Sequence, residues 1–158
     1  MLRPLLLLLI LLATLHTAVR GDSLTLTEQT ALLPSPAQNF LRKHFATLGI
    51  KKITVENRFL HKEYSVLLAG GGSIEFDGRY NWTRIEGLRY ALPASTIPSK
   101  ILQYIRTHYP HYFIASLDRT AKGYQTGLRG LEENRTVTLL FNRRYELVKE
   151  DDEPLPLP

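Results

Sequence analysis

The chain has 158 residues, of which 44% are hydrophobic, with 20 Lys and Arg residues against 15 Asp and Glu residues and no Cys. That length suits one domain of ordinary size or two small units that share a core. The lack of Cys excludes disulfide bonds and the acylated anchor of a lipoprotein, so a secreted form must depend on its hydrophobic core alone. The formal net charge of +5 is a mild excess and lacks the dense Lys/Arg stripe of a nucleic-acid-binding protein.

Residues 1–21 have the composition of a secretory signal peptide. Arg3 supplies the positive charge, residues 5–12 form an unbroken apolar run, and small or polar residues follow. The run is shorter than the ~20 apolar residues of a comfortable membrane span. The segment predicts a periplasmic or secreted protein, and the alternative is an uncleaved segment that anchors the protein to the envelope.

A polar, Thr-rich lead-in segment is expected over 22–33, followed by a first folded unit over 34–90. Ser35 and Pro36 are predicted to cap and open a helix, which Gly49 ends. Alternating apolar and polar residues then predict strands near 52–56, 63–68, 73–76 and 80–85, with Asp77–Gly78 as a two-residue hairpin turn. The helix stripe consists of Ala37, Phe40, Leu41, His44, Phe45 and Leu48.

A second unit with the same plan is predicted over 91–150. Ser95 or Thr96 caps its helix, and Pro110 stops it. Its strands are expected near 113–117, 124–128, 136–141 and 145–148. Residues 151–158 are acidic and then Pro-rich, which predicts a disordered tail.

The two units match each other in sequence. Residues 62–70 and 122–130 share Lys, Tyr, Leu and Gly at one offset, and residues 74–80 parallel 139–145 at a slightly larger one. Two copies of about 60 residues are too few for a solenoid. The match predicts an α+β fold built from two tandem units, each a helix followed by an antiparallel meander with one buried face.

The second unit carries a recognisable pattern. It runs from Leu92-Pro93 through Ile101-x-x-Tyr104-Ile105-x-x-His108-Tyr109-Pro110 to Gly123-Tyr124 and Gly130. This pattern resembles the secreted PepSY-like proteins, also called β-lactamase-inhibitor-like, over about residues 33–149. The first unit departs from it, since Ala46-Thr47-Leu48-Gly49 stands where the Tyr-Pro stop would be.

The resemblance implies a fold like that of the β-lactamase inhibitory protein. There, two α+β units lie side by side, their sheets join into one curved sheet, and the helices cover one side. Many members of the family are periplasmic proteins of Bacteroidota-like bacteria. Inhibition of a β-lactamase does not follow, because fold does not fix function.

The sequence contains no catalytic constellation. There is no Cys nucleophile and no Gly-x-Ser-x-Gly elbow, and the Gly-rich stretch 70–73 joins two strands instead of preceding a helix. His108 and His111 straddle Pro110 without a nearby carboxylate. We therefore predict no catalytic residue, cofactor or metal site, and a hydrolytic enzyme with a dispersed site is kept as the alternative.

The aromatic residues and the polar side of the strands are the binding candidates. Tyr64, Phe76, Tyr124 and Phe141 alternate with the apolar positions and are predicted to be core. The opposite, polar side predicts a non-catalytic module that docks a protein or peptide, with inhibition as one form of that role, or else an ordinary solvated face. Nucleic acid is not an expected partner, and a membrane is expected only if the signal stays uncleaved. The candidate binding residues are Trp82, Tyr80, Glu63, Glu75, Gln125 and Arg129.

Overall fold

A computed structural model describes residues 30–57, 59, 62–130 and 135–154, with the backbone alone for Glu153 and Pro154. Eight strands form one antiparallel sheet, in which each strand pairs with its neighbours in sequence. The strands are β1 (Ile50–Asn57), β2 (Lys62–Leu68), β3 (Ser73–Phe76), β4 (Trp82–Glu86), β5 (Tyr112–Thr120), β6 (Gly123–Gly130), β7 (Arg135–Asn142) and β8 (Leu147–Pro154). The helices are α1 (Ser35–His44) and α2 (Ser99–His108), and a short 3-10 turn (Ala94–Thr96) precedes α2. The α+β prediction is confirmed, whereas the predicted signal peptide and residues 22–29 of the lead-in lie outside the described residues.

Both helices begin beside a proline, but not with the predicted caps. Ser35 is the first residue of α1 and makes no capping hydrogen bond, and the helix ends at His44, well before Gly49. Helix α2 begins at Ser99, directly after Pro98. Pro has a fixed φ and no N–H to leave unsatisfied, so it marks a helix start without a side-chain cap.

Both helices lie on one side of the sheet. Phe40 of α1 meets the edge of Phe76 with ring centroids 5.8 Å apart, and Tyr104 of α2 meets Phe141 in the same way at 5.6 Å. Helix residues Ala37 and Ile101 are completely buried against this side. The apolar strand residues that are at most 2% exposed beneath the helices are Val66, Ile74, Phe76, Ile85, Leu117, Leu128 and Leu139.

A β-bulge interrupts the pairing of β3 with β4. Glu75 pairs with Arg84 and Phe76 pairs with Trp82, which leaves Thr83 as the extra residue. A bulge shifts the alternation of the strand by one residue. Trp82 consequently faces the helices and is only 9% exposed.

The turn between β3 and β4 is longer than predicted. The Asp77 amide donates to the Asn81 carbonyl (2.9 Å) and the Tyr80 amide donates to the Asp77 carbonyl (2.8 Å), which makes a three-residue loop. Within this loop Tyr80, with φ of 67°, takes the left-handed conformation. The two-residue hairpin prediction is therefore wrong.

The tail prediction is wrong for residues 151–154, which belong to strand β8. Backbone pairing with β7 extends as far as Arg135 opposite Pro154. The acidic side chains do not oppose this, because Asp152 forms an ion pair with Arg135 and Asp151 with Lys149. An edge strand needs only one neighbour and no buried side chains of its own. Residues 155–158 lie outside the described residues.

Candidate functional site

The side of the sheet away from α1 and α2 is polar, and we call it the open sheet face. The strand register places side chains from β2 to β7 in rows across it. No helix within the described residues lies over it. Its residues include Glu63, Ser65, Ser73, Glu75, Arg84, Glu86, Ser116, Asp118, Gln125, Gly127, Arg129, Thr136 and Thr138.

A charged row crosses the middle of the open sheet face. Glu75, Arg84, Asp118 and Gln125 stand opposite one another on four consecutive strands. Arg84 Nε lies 3.5 Å from Asp118 Oδ1, and Arg84 Nη2 lies 3.7 Å from Glu86 Oε2. The row joins the two halves of the chain, since β4 and β5 come from different halves.

The carboxyl group of Asp118 is poorly solvated for a charged group. Burial raises its pKa, Arg84 opposes that rise, and Glu86 adds to it. Burial is the largest of these influences, so the ionised carboxylate is under-compensated where it lies.

Two hollows flank this row. The first has a volume of about 330 Å³ and an acidic lining that includes Glu56, Glu63, Glu75 and Asp77. Glu56 and Glu63 stand directly opposite each other on β1 and β2. Like charges placed directly opposite each other on neighbouring strands cost stability.

The second hollow, of about 210 Å³, has a lining of hydroxyl groups, one cation and one anion, Glu86. It includes Ser116, Arg129, Thr136 and Thr138. Gly127 forms its floor, where an added Cβ atom would come within 2.4 Å of Ser116 Oγ. The space that a Cβ atom would need is already filled by the Ser116 hydroxyl group, so this position of β6 requires glycine.

Four of the six predicted site residues lie on the open sheet face, namely Glu63, Glu75, Gln125 and Arg129. Two do not lie there. Trp82 is buried on the helix side, where the Arg119 guanidinium stacks 4.3 Å from its ring centre. Tyr80 is 40% exposed, but it lies in a turn with its ring 6.0 Å from that of Tyr64.

Sequence reasoning missed Arg84 and Asp118, which form the centre of the charged row. Their alternation with the buried Ile85 and Leu117 is a signal that each faces outward. Their pairing has no local signal, because it depends on the contact between β4 and β5 across the α2 segment.

Two histidines, His44 and His108, are engaged within the fold. His44 Nδ1 lies 2.8 Å from Ser95 Oγ and joins α1 to the segment before α2. His108 Nδ1 donates to the Tyr104 carbonyl over 2.9 Å. In the part of the chain that the structure describes, no three His, Cys, Asp or Glu side chains come together as a metal site. The same part has no helix that is long and apolar enough to span a membrane.

A family model described as "Putative beta-lactamase-inhibitor-like, PepSY-like" matches residues 62–149, more than half of the chain. The chain belongs to this PepSY-like family. The match spans β2 to the start of β8, including all four predicted site residues on the open sheet face. A search of curated proteins finds no match.

Solved structures similar to this PepSY-like chain come from Bacteroides. One, described as a "putative calcium-regulated periplasmic protein" of Bacteroides thetaiotaomicron, is 28% identical, covers 78% of this chain and 93% of its own, and superposes with a TM-score of 0.69. Two proteins of Bacteroides vulgatus, both described as periplasmic, are each 26% identical and cover 78% of this chain, with TM-scores of 0.68 and 0.69. They cover 93% and 94% of their own lengths.

Proposed function

We propose that this PepSY-like protein is a non-catalytic periplasmic binding protein that docks a protein or peptide on its open sheet face. A periplasmic location is supported by the descriptions of three similar Bacteroides proteins and by the apolar N-terminal segment of the sequence. The main observation in favour of a binding role is the charged row.

The charged row supports the proposal because it arranges opposite charges across an uncovered surface. Glu75 and Asp118 flank Arg84, and Gln125 adds an amide that can both donate and accept. A partner with complementary charge would be oriented by such a pattern.

The shape of the face favours binding over catalysis. The two hollows lie side by side on a broad sheet surface, and their polar groups do not converge on one point with a nucleophile and a base. The family description also names an inhibitor-like group of proteins. These observations support a non-catalytic role over a hydrolytic enzyme with a dispersed site.

The calcium regulation named for the Bacteroides thetaiotaomicron protein has no ligand cluster to depend on in the described part of this chain. The acidic hollow is the place where a cation would first be attracted. The binding experiment is therefore run both with calcium and with a chelator, so that any dependence of partner capture is measured directly.

We also infer that the two halves are copies of one ancestral unit. Each half has a helix followed by four strands, and each helix places one aromatic ring edge-on against a strand Phe. The pair is Phe40 with Phe76 in the first half and Tyr104 with Phe141 in the second, at interplanar angles of 86° and 81°. Superposition of 34–86 on 93–149 with the helices on opposite faces would argue against a duplication.

The binding proposal is tested by capture from a periplasmic extract of the host bacterium. The bait is compared with an open-face variant (Glu75→Ala, Gln125→Ala) and a matched helix variant (Lys100→Ala, Gln103→Ala). We expect one partner to be retained by the bait and the helix variant and lost from the open-face variant. Equal retention by all three would mean that the open sheet face is not the binding surface.

A further inference from the structure

One end of the sheet has a concentration of positive charge. Because the sheet is a meander, the turns after β1, β3, β5 and β7 all lie at the same end. The first of these turns is flanked by two acids, Glu56 and Glu63, and one cation, Lys62, so the positive charge is concentrated on the other three. Exposed cations occupy or adjoin those three turns, and we call them the basic turn surface: Arg79, Arg119, Lys122, Arg143 and Arg144.

Contacts between neighbouring turns make this a continuous surface. Arg143 donates from Nε (3.0 Å) and Nη2 (2.6 Å) to the Ala121 carbonyl, which joins the turn after β7 to the turn after β5. Arg119 lies over Trp82, which directly follows the turn after β3. The cations are therefore held side by side on adjacent turns.

The acidic side chains in the same three turns accept hydrogen bonds from groups within their own turns. Asp77 Oδ1 accepts from the amides of Arg79 and Asn81, both over 2.9 Å. Glu146 Oε2 accepts from Asn142 Nδ2 over 2.7 Å. Neither group lies in an ion pair with Arg79, Lys122 or Arg144 among the described contacts, and five cations stand against these two acids.

Aromatic side chains project at the same end. Phe59, between β1 and β2, is 99% exposed, and Tyr80, next to Arg79, is 40% exposed. The Phe59 ring leaves nearly all of its apolar surface in water, where a membrane or a partner could cover it. Aromatic rings and basic side chains together are typical of protein surfaces that lie on a membrane.

We propose that the basic turn surface docks on an anionic lipid bilayer, with Phe59 and Tyr80 entering the headgroup region. Lys and Arg side chains are attracted by the negative surface potential of such a bilayer, and the attraction falls off within a Debye length of ~8 Å at physiological salt. Docking by the turns would stand the strands upright on the membrane and leave the open sheet face accessible. This docking uses the turns and not the open sheet face, so it is independent of the proposed binding function. It also needs no uncleaved N-terminal segment.

Vesicle co-sedimentation tests the proposal, with the protein as recovered from the periplasm of an expressing bacterium so that all variants share one N-terminus. We expect binding to vesicles that contain phosphatidylglycerol, little binding to pure phosphatidylcholine, and release at ~1 M salt. Each of Arg79→Gln, Lys122→Gln and Arg144→Gln should lower the partition coefficient about fivefold, given about 1 kcal/mol per charge near the surface. Phe59→Ala should lower it without changing the salt dependence.

The matched control removes three exposed cations elsewhere, by Lys51→Gln, Lys52→Gln and Lys100→Gln. Its comparison is the variant that combines Arg79→Gln, Lys122→Gln and Arg144→Gln. If the control lowers binding as much as that combined variant, net charge alone explains the attraction and the proposal is overturned. No binding to anionic vesicles would also overturn it. The proposal would also be overturned if the protein bound heparin, a soluble polyanion, as tightly as it binds anionic vesicles and Phe59→Ala had no effect. Unfolding curves show that each variant is folded.

Discussion

Tyr80 and Tyr145 occupy the same position in two turns of the sheet, and each has a φ of 67°. Asp77 holds the first turn by accepting from the amides of Arg79 and Asn81, and Asn142 holds the second by accepting from those of Arg144 and Glu146. A positive φ is uncommon for a bulky residue and costs free energy. Each ring packs on a strand tyrosine, Tyr80 on Tyr64 (6.0 Å) and Tyr145 on Tyr124 (5.5 Å), which helps to offset that cost.

The first prediction separates the backbone cost from the ring contact. At both turn positions the Tyr→Gly variant should be more stable than the Tyr→Ala variant by about 1 kcal/mol, since both lose the ring but only Gly relieves the strain. Urea unfolding measures the difference. At Tyr112, in strand β5, the order should reverse, because Gly weakens an extended strand relative to Ala. Equal stability of the Gly and Ala variants at both turns would show that the positive φ is not strained.

The second prediction concerns Thr126, which is completely buried between Leu117 and Leu139 in the sheet register. Its Oγ1 has no hydrogen-bond partner among the described residues. Thr126→Val keeps the shape and removes the unsatisfied hydroxyl, so it should raise the free energy of unfolding by about 1 kcal/mol. Thr126→Ala leaves a cavity and should be less stable than the Val variant. A Val variant less stable than the wild type would mean that the hydroxyl is satisfied in solution.

The third prediction tests strand β8. Truncation after Lys149 removes most of the pairing with β7 and the ion pair between Asp152 and Arg135. The pKa of Tyr109 is raised mainly by burial and next by Glu150. The truncation removes Glu150 and with it that contribution. We expect a lower melting temperature and self-association, because the β7 edge becomes exposed.

Truncation after Pro154 is the matched control, and it should leave the melting temperature unchanged. If residues 150–154 were a disordered tail, the two truncated proteins would melt at the same temperature and neither would self-associate. Calorimetry and sedimentation velocity distinguish these outcomes.

The fourth prediction is a pH dependence due to His44. Burial, with a smaller contribution from Lys43, lowers its pKa from the ordinary value of 6.5. The unfolded chain therefore binds the proton more readily, and stability falls as the pH drops below 6.5 towards the folded pKa. His44→Gln should flatten this part of the stability curve, and Lys43→Gln should reduce its slope. Parallel curves for the wild type and His44→Gln would show that another group causes the dependence.

The sequence predicted the buried face well, because alternation on β2, β3 and β7 correctly placed Tyr64, Phe76 and Phe141 in the core. It failed at Trp82, since the bulge at Thr83 shifts the alternation and no local pattern announces a bulge. The sequence also could not predict the pairing of Arg84 with Asp118, because that contact joins strands separated by the whole α2 segment.

Strand β8 shows a different limit. The composition of residues 151–154 is that of a tail, and hydrophobicity is the strongest signal that a sequence offers for a strand. An edge strand can form from backbone hydrogen bonds and surface ion pairs alone, as Asp151 and Asp152 do here. Such a strand leaves no hydrophobic pattern to find.

Site-specific photo-crosslinking in living cells tests the central claim most directly, that the open sheet face is the binding surface. A photoreactive residue replaces Gln125 on that face or, as the control, the exposed Gln103 on α2. The account predicts one discrete adduct from position 125 and none from position 103. Adducts from position 103 alone, or none from 125 while the partner is still captured, would contradict it.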